Sequence, residues 1–131
     1  MTLPLVRTHT DAVITALAGA GLSVGDAVAP DDVPPYVVVY HVFDRRQGTL
    51  GAPDDDAAIT YQVTCVGASR KQAEWLADEV AERLATGITV TGRSVPRIAP
   101  EPGSGAVFRD DDATPPLFYC TPRFRIMSTT A

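Results

Sequence analysis

The sequence predicts a single α+β domain, with a mostly antiparallel sheet of four or five strands and two helices packed on one face. Two segments show the helical spacing of apolar residues, and several short runs are rich in β-branched and aromatic residues. These segments follow one another as helix, strand, strand, helix, strand, strand. A chain of 131 residues has the length of one domain, which we take as residues 1–131.

The first helix is predicted from Pro4 to about Gly19. Proline suits the first helical turn, and apolar residues such as Val13 and Leu17 recur at helical spacing. Glycine at positions 19 and 21 is a stop signal. Residues 22–29 predict a short strand.

The next two strands are predicted to form a hairpin with an extended tip. Residues 36–43 are dense in β-branched and aromatic residues, and Ile59, Tyr61, Val63 and Cys65 alternate with polar residues. Between them, residues 44–56 predict a polar loop, far longer than the two to five residues usual in a hairpin.

The second helix begins after Ser69, which has capping-box spacing to Gln72. An apolar stripe follows: Ala73, Leu76, Ala77, Val80 and Leu84. Trp75 lies beside this stripe, and core packing is the simpler interpretation of it and of Tyr61. The alternative is a ligand-stacking surface.

The C-terminal part predicts a strand over 88–95, a loop over 96–105, a short strand over 106–109 and a last strand over about 117–129. Pro122 cannot donate a hydrogen bond to a ladder. The last strand, with Pro122, Arg123 and Arg125, is therefore predicted at an edge of the sheet or with a bulge at the proline.

Composition excludes some classes of function. The net charge of −5 and the scattered basic residues argue against sequence-specific binding of DNA or RNA. No apolar run approaches the ~20 residues of a membrane span, and no signal peptide is visible. Cys65 and Cys120 lack a CxxC spacing, so we expect reduced, buried thiols in a protein made in the cytoplasm.

No catalytic group, cofactor site or metal site is predicted. His9 and His41 have no ligand partners at metal-binding spacing, and nucleotide and nucleophile motifs are missing. Two acidic triplets, Asp54–Asp55–Asp56 and Asp110–Asp111–Asp112, lack the spaced ligands of a calcium loop. Solvated turns are the better interpretation of both.

The loop over 44–56 carries Arg45 and Arg46 at one end and the first acidic triplet at the other. Such a charged, extended segment suits a docking surface for another protein. An insertion that the fold tolerates and that has no role is an equally good interpretation of this loop.

The order of segments is similar to that of tail terminator proteins from long-tailed phages of actinobacteria. The similarity covers most of the chain: PYVVVY, the Gly-, Pro- and Asp-rich loop, AAITYQVTCVGASRKQAEWLADEVAERL, ITVTGRSV and FYCTPRFRIMST. The passage over 61–84, a strand leading into a helix, is its most characteristic part.

This resemblance implies a structural virion protein rather than an enzyme. Tail terminators form a ring, commonly a hexamer, on the head-proximal end of the tail tube. They stop tube polymerisation and join the head, so the implied partners are other copies, the tube protein and a neck protein. DNA passes through without specific binding. Aspartate-rich loops lining the channel would repel the DNA. Small subunits with an available edge strand can join around a closed ring.

Two other interpretations stay open. The first is a different neck protein, a head–tail connector or stopper, which shares the size, the acidity and the lack of chemistry. The second is a small cytoplasmic ligand-binding or enzymatic domain, which would need a pocket with convergent polar groups.

Overall fold

The computed structural model describes residues 4–30, 33–49, 52–103 and 105–130, without the side chains of 47–49 and 52–55. Two helices and seven strands lie in these ranges. The helices are α1 (Val6–Gly19) and α2 (Arg70–Ala85). The strands are β1 (Val24–Asp26), β2 (Tyr36–Thr49), β3 (Ala52–Gly67), β4 (Arg93–Pro100), β5 (Phe108–Asp110), β6 (Leu117–Cys120) and β7 (Arg123–Thr130).

All seven strands belong to one mixed sheet built around β3. On one side β3 pairs with β2, and β2 pairs in parallel with the short β1. On its other side β3 has two successive neighbours, β7 along residues 57–62 and β6 along residues 65–67. Strand β4 then pairs with β7, and β5 with β6. The α+β prediction is confirmed, but four or five strands was too few, and the β1–β2 pair is parallel.

The main core lies between the helices and the alternate residues of β2 and β3. Ile59, Tyr61, Val63 and Cys65 all point into it and are fully buried, which confirms the predicted period of two. A smaller cluster joins Tyr36, Val38 and Val66 with Leu117 and Tyr119. Val37 and Val39 therefore face the main core, and Tyr36 and Val38 face the smaller cluster. Because β2 is buried on both faces here, residues 36–39 form a continuous apolar run.

Helix α2 is the element that the sequence predicted best. The Ser69 side chain accepts a hydrogen bond from the Gln72 N–H at 3.1 Å, and the Gln72 side chain accepts one from the Ala68 N–H at 2.7 Å. Residues Ala73, Leu76, Val80 and Leu84 are buried, as predicted, and Ala77 is half-buried. Trp75 is 49% exposed, so the prediction that it packs in the core was wrong.

The segment after α2 differs from the prediction. Residues 88–92 form no strand; Val90 is buried there, and Gly92 has a φ of 75° that fits a turn. The strand is β4, which starts at Arg93 and runs through the predicted loop to Pro100. It tolerates Pro96 because the register with β7 is irregular between Ser94 and Arg97.

The predicted last strand divides in two at Thr121 and Pro122, giving β6 and β7. Since Pro122 cannot donate to a ladder, the break falls where the proline stands, although its carbonyl still accepts from the Val63 N–H at 2.9 Å. Strand β7 lies between β3 and β4, so of the two alternatives predicted for the last strand the edge position was wrong. The strand is instead irregular at the proline.

Candidate interaction surface

The predicted loop over 44–56 is instead the outer part of a long hairpin. Strands β2 and β3 stay paired out to Thr49 and Ala52, with register shifts between His41 and Phe43 and between Gln47 and Thr49. We call residues 40–49 of β2 and the residues 52–62 that pair with them the arm. These polar residues form strands because the hydrogen bonds between two paired strands satisfy the backbone N–H and C=O groups whatever the side chains are.

The outer edge of β2 is free along most of the arm. Strand β1 covers β2 only as far as Val39, whose carbonyl accepts from the Ala27 N–H at 3.0 Å. Along residues 40–46, no other described strand pairs with this edge. We call residues 40–46 the arm edge.

The arm edge carries three large apolar side chains in contact with water. Tyr40 is 36% exposed, Val42 40% and Phe43 58%. Val42 stands at a β-bulge, because His41 pairs with Tyr61 and Phe43 with Thr60. A group of exposed apolar residues on an unpaired strand is typical of an interaction surface.

Charged residues follow directly on the same strand. Asp44 lies between His41 (Nε2 to Oδ1, 3.3 Å) and Arg46 (Nε to Oδ2, 3.5 Å). Arg45 is exposed and has no acidic partner among the described side chains. Of the acidic triplet on β3, Asp56 is half-buried, while the side chains of Asp54 and Asp55 lie outside the described part of the structure.

The second acidic triplet lies at the opposite end of the sheet. Asp110 ends β5, and its carboxylate accepts a hydrogen bond from the Asp112 N–H at 3.0 Å, which closes a tight turn. Asp111 and Asp112 are exposed. Phe108 on the same strand is 54% exposed and contacts Tyr119, with ring centroids 5.8 Å apart. We call residues 110–112 the acidic turn; it fits the predicted solvated turn.

The basic residues predicted at an edge lie within the sheet surface instead. Arg123 reaches Gln62 on β3 at 3.4 Å, and Arg125 is exposed on β7 between two paired strands. Neither residue presents a free strand edge.

Sequence reasoning missed a buried polar cluster of His9, Ser128 and Arg93. His9 Nε2 and Arg93 Nε lie 2.7 and 3.1 Å from Ser128 Oγ. A serine beside a histidine can form a nucleophile and base. Both are fully buried here, so the cluster ties α1 to β7 and β4 rather than facing a substrate.

The two cysteines are free and buried, as expected. The structure also places them opposite each other across β3 and β6. The neighbouring Cys120 side chain and burial raise the pKa of Cys65. At neutral pH this residue stays a thiol, which is a poor nucleophile.

A cleft with a volume of about 400 Å³ lies between α1 and residues 87–91. Its two charged side chains are engaged elsewhere: Arg83 donates to the Ala16 carbonyl at 2.9 Å, and Asp11 pairs with Arg7. The described residues form no cluster of three or more metal-ligating side chains. Among them there is also no helix with the length and hydrophobicity to cross a membrane.

Comparison with known families identifies the class. Residues 5–115 match the model of the family described as tail completion protein gp17. Because the match covers most of the chain, this protein belongs to that family of structural phage tail proteins. It is therefore a component of the virion that interacts with other tail or neck proteins. No curated protein matches the sequence.

Proposed function

We propose that the chain is the tail terminator of a siphovirus-type actinobacterial phage. Identical subunits form a ring, a hexamer, on the head-proximal end of the finished tail tube. The ring stops tube polymerisation and provides the surface that joins the head. The observation that carries this proposal is the family match over residues 5–115.

The partners are further copies of the chain, the tube protein below the ring and a neck protein above it. The shape of the subunit supports this role. Its arm edge combines unpaired backbone with exposed Tyr40, Val42 and Phe43, a surface that gains stability when another protein covers it. Assembly takes place in the host cytoplasm, and the finished ring stays in the virion.

DNA passes through the ring without specific binding. The chain carries a net charge of −5, and aspartates 54–56 of the arm are placed in this proposal at the channel. Carboxylates facing the phosphates would repel the DNA and keep it sliding. An electron-microscopy map of the ring on tubes tests this point, because density for these residues on the outer rim would contradict it.

The experiment that tests the function mixes purified protein with tail tubes assembled from the tube protein of the same phage. Light scattering after size exclusion gives the mass of the protein alone and with tubes, and electron microscopy shows the tube ends. We expect a ring-sized cap at one end of each tube and tubes that stop growing when fresh tube subunits are added. Tubes without added protein are the control.

Two results contradict the proposal. A protein that stays monomeric and neither binds tubes nor limits their length is not a terminator. A protein that binds the portal vertex of empty heads but ignores tubes is a connector or stopper, the nearest alternative.

A further inference from the structure

We propose that copies of this chain join head to tail through the two ends of their sheets. The arm edge of one copy receives strand β5 and the acidic turn of the next. This inference rests on the proposed ring and identifies the surfaces that close it. The partner is therefore a second copy of the same chain.

Both ends of the sheet have unpaired backbone within the described residues. The strand order runs from β1 and β2 through β3 and β6 to β5, so β5 is the last strand at its end. At the other end, the Val37 N–H donates to Ser23 and the Val39 carbonyl accepts from Ala27. Backbone groups of alternate residues point to the same side of a strand, so the N–H and C=O of His41 are the next to face the outer edge of β2. Strand β1 does not extend far enough to pair with them.

The two edges also carry matching apolar groups. Phe43 on the arm edge and Phe108 on β5 are both more than half exposed, at 58% and 54%. A phenylalanine that loses this exposure in an interface contributes through the hydrophobic effect, whereas in a free subunit it remains in water. Joining the two edges removes both side chains from solvent.

The charges on the two edges are opposite. Arg45 and Arg46 lie on the arm edge, and Asp111 and Asp112 are exposed in the acidic turn. Arg46 already pairs with Asp44, and Asp111 pairs with Arg109. Arg45 has no acidic partner among the described side chains, and the Asp112 carboxylate accepts no hydrogen bond from them, so these two charges are the ones available to a second copy. Such complementarity selects the partner and the register of an interface, and it opposes contacts of arm with arm or of turn with turn.

The strand directions fit this contact. Strands β2 and β3, β3 and β6, and β6 and β5 are each antiparallel, so β5 runs opposite to β2. A second copy in the same orientation then places its β2 antiparallel to β5 of the first. Because the two surfaces differ, the contact is heterologous, the type that produces rings when the rotation closes.

The remaining long edge, β4, is poorly suited to such pairing. The Glu101 N–H donates to the Arg123 carbonyl at 2.9 Å. Because the backbone groups of successive residues point to opposite sides of a strand, those of Pro100 point away from β7, toward the outer edge of β4. Proline has no N–H, and Pro96 lacks one as well. Prolines on an edge strand are a common device against edge-to-edge association.

The test reverses the charges on each surface separately. One variant is Arg45→Glu with Arg46→Glu, and the second is Asp111→Lys with Asp112→Lys. The control is Arg70→Glu with Lys71→Glu on α2, which changes the net charge as much as the first variant does. All six side chains are exposed, so circular dichroism and thermal melting should resemble those of the wild type. Ring formation is followed by light scattering and by electron microscopy, alone and on tail tubes.

We expect each reversed variant to lose the ring, since its arm and its turn then carry like charges. An equimolar mixture of the two should restore rings, because each acidic arm meets a basic turn and each basic arm an acidic turn. The mixed rings should contain even numbers of subunits in alternation, measurable by native mass spectrometry. The control should form rings as the wild type does.

The proposal is overturned if the wild type forms rings and either reversed variant does so equally well. It is also overturned if the mixture restores nothing, or if the control loses the ring too, since net charge would then explain the effect. These outcomes leave the tail-terminator function intact. A wild type that forms no ring even on tubes removes the proposed function itself.

Discussion

His9 Nε2 and Ser128 Oγ lie 2.7 Å apart, joining the first helix to the last strand across 119 residues of sequence. The Leu5 carbonyl, 2.7 Å from Nδ1, can only accept, so the proton of the neutral ring is on Nδ1. Ser128 then donates to Nε2 and accepts from Arg93. Of these hydrogen bonds, the one from Ser128 to Nε2 requires the neutral form of His9.

The first prediction is that acid weakens the fold through His9. Its burial, above all, lowers its pKa from the usual value of about 6.5, and the positive charges of Arg93 and Arg46 act in the same direction. A folded-state pKa below that of the unfolded chain gives stability that is present above about pH 6.5 and is lost as the pH falls through the folded-state pKa. Each unit by which folding lowers the pKa of His9 corresponds to about 1.4 kcal/mol in the free energy of unfolding.

Urea unfolding followed by circular dichroism at pH 7.5, 6.5 and 5.5 measures this effect. We expect the free energy of unfolding to fall over this range in the wild type and in a His41→Asn control. A His9→Asn variant should be less stable at pH 7.5 and should lack this part of the pH dependence. An NMR titration that places the pKa of His9 above 6.5 would refute the argument.

The second prediction concerns two neighbours on α2. Leu76 is 1% exposed and Trp75 is 49% exposed, although they are adjacent in sequence. Leu76→Ala should lower the free energy of unfolding by about 2–5 kcal/mol, because it leaves a cavity in the core. Trp75→Ala should cost under about 1 kcal/mol.

Circular dichroism is the appropriate probe for this pair, since Trp75 is the only tryptophan and its removal ends the fluorescence signal. Equal losses in both variants would show that Trp75 is packed as a core residue.

Local signals in the sequence predicted the parts of the fold that depend on local physics. The capping box at Ser69, the buried stripe of α2 and the alternation of β3 all follow from periodicity and side-chain hydrogen bonding. Pro122 likewise marked the position at which the last strand breaks.

The long-range pairing was beyond such signals. Residues 44–49 are polar, which predicts a loop, yet they pair with β3 because the hairpin begun by residues 36–41 continues outward past the bulge at Val42. Pro122 is compatible with an edge strand or with an irregularity in the strand, and local sequence does not decide between them. The edge position is excluded by β4, which pairs with β7 and begins later in the sequence than predicted. The His9–Ser128 contact joins the two ends of the chain, and no local pattern encodes it.

The third prediction tests the N-cap of α2. Ser69→Ala removes the oxygen that accepts from the Gln72 N–H, so it should lower the free energy of unfolding by about 1 kcal/mol. Ser94→Ala is the matched control, because Ser94 is exposed on β4, and its effect should stay within about 0.5 kcal/mol. If the two variants unfold at the same urea concentration, the cap contributes nothing measurable.

The fourth prediction concerns the close approach of backbone at Gly67, where β3 passes into α2. A Cβ at this position would lie 2.7 Å from the Ala73 nitrogen, a main-chain atom inside the helix that cannot move independently. Gly67→Ala should therefore shift α2 against the sheet and destabilise the fold by about 1–3 kcal/mol, as overpacking does.

Gly105→Ala is the control, since a Cβ there meets no atom within 4 Å. Reducing the conformational freedom of the unfolded chain should leave that variant neutral or slightly more stable. Thermal melting by circular dichroism distinguishes the two. A Gly67→Ala variant that melts with the wild type would mean that α2 can move away from β3 at no cost, and the tight junction would then not fix the helix on the sheet.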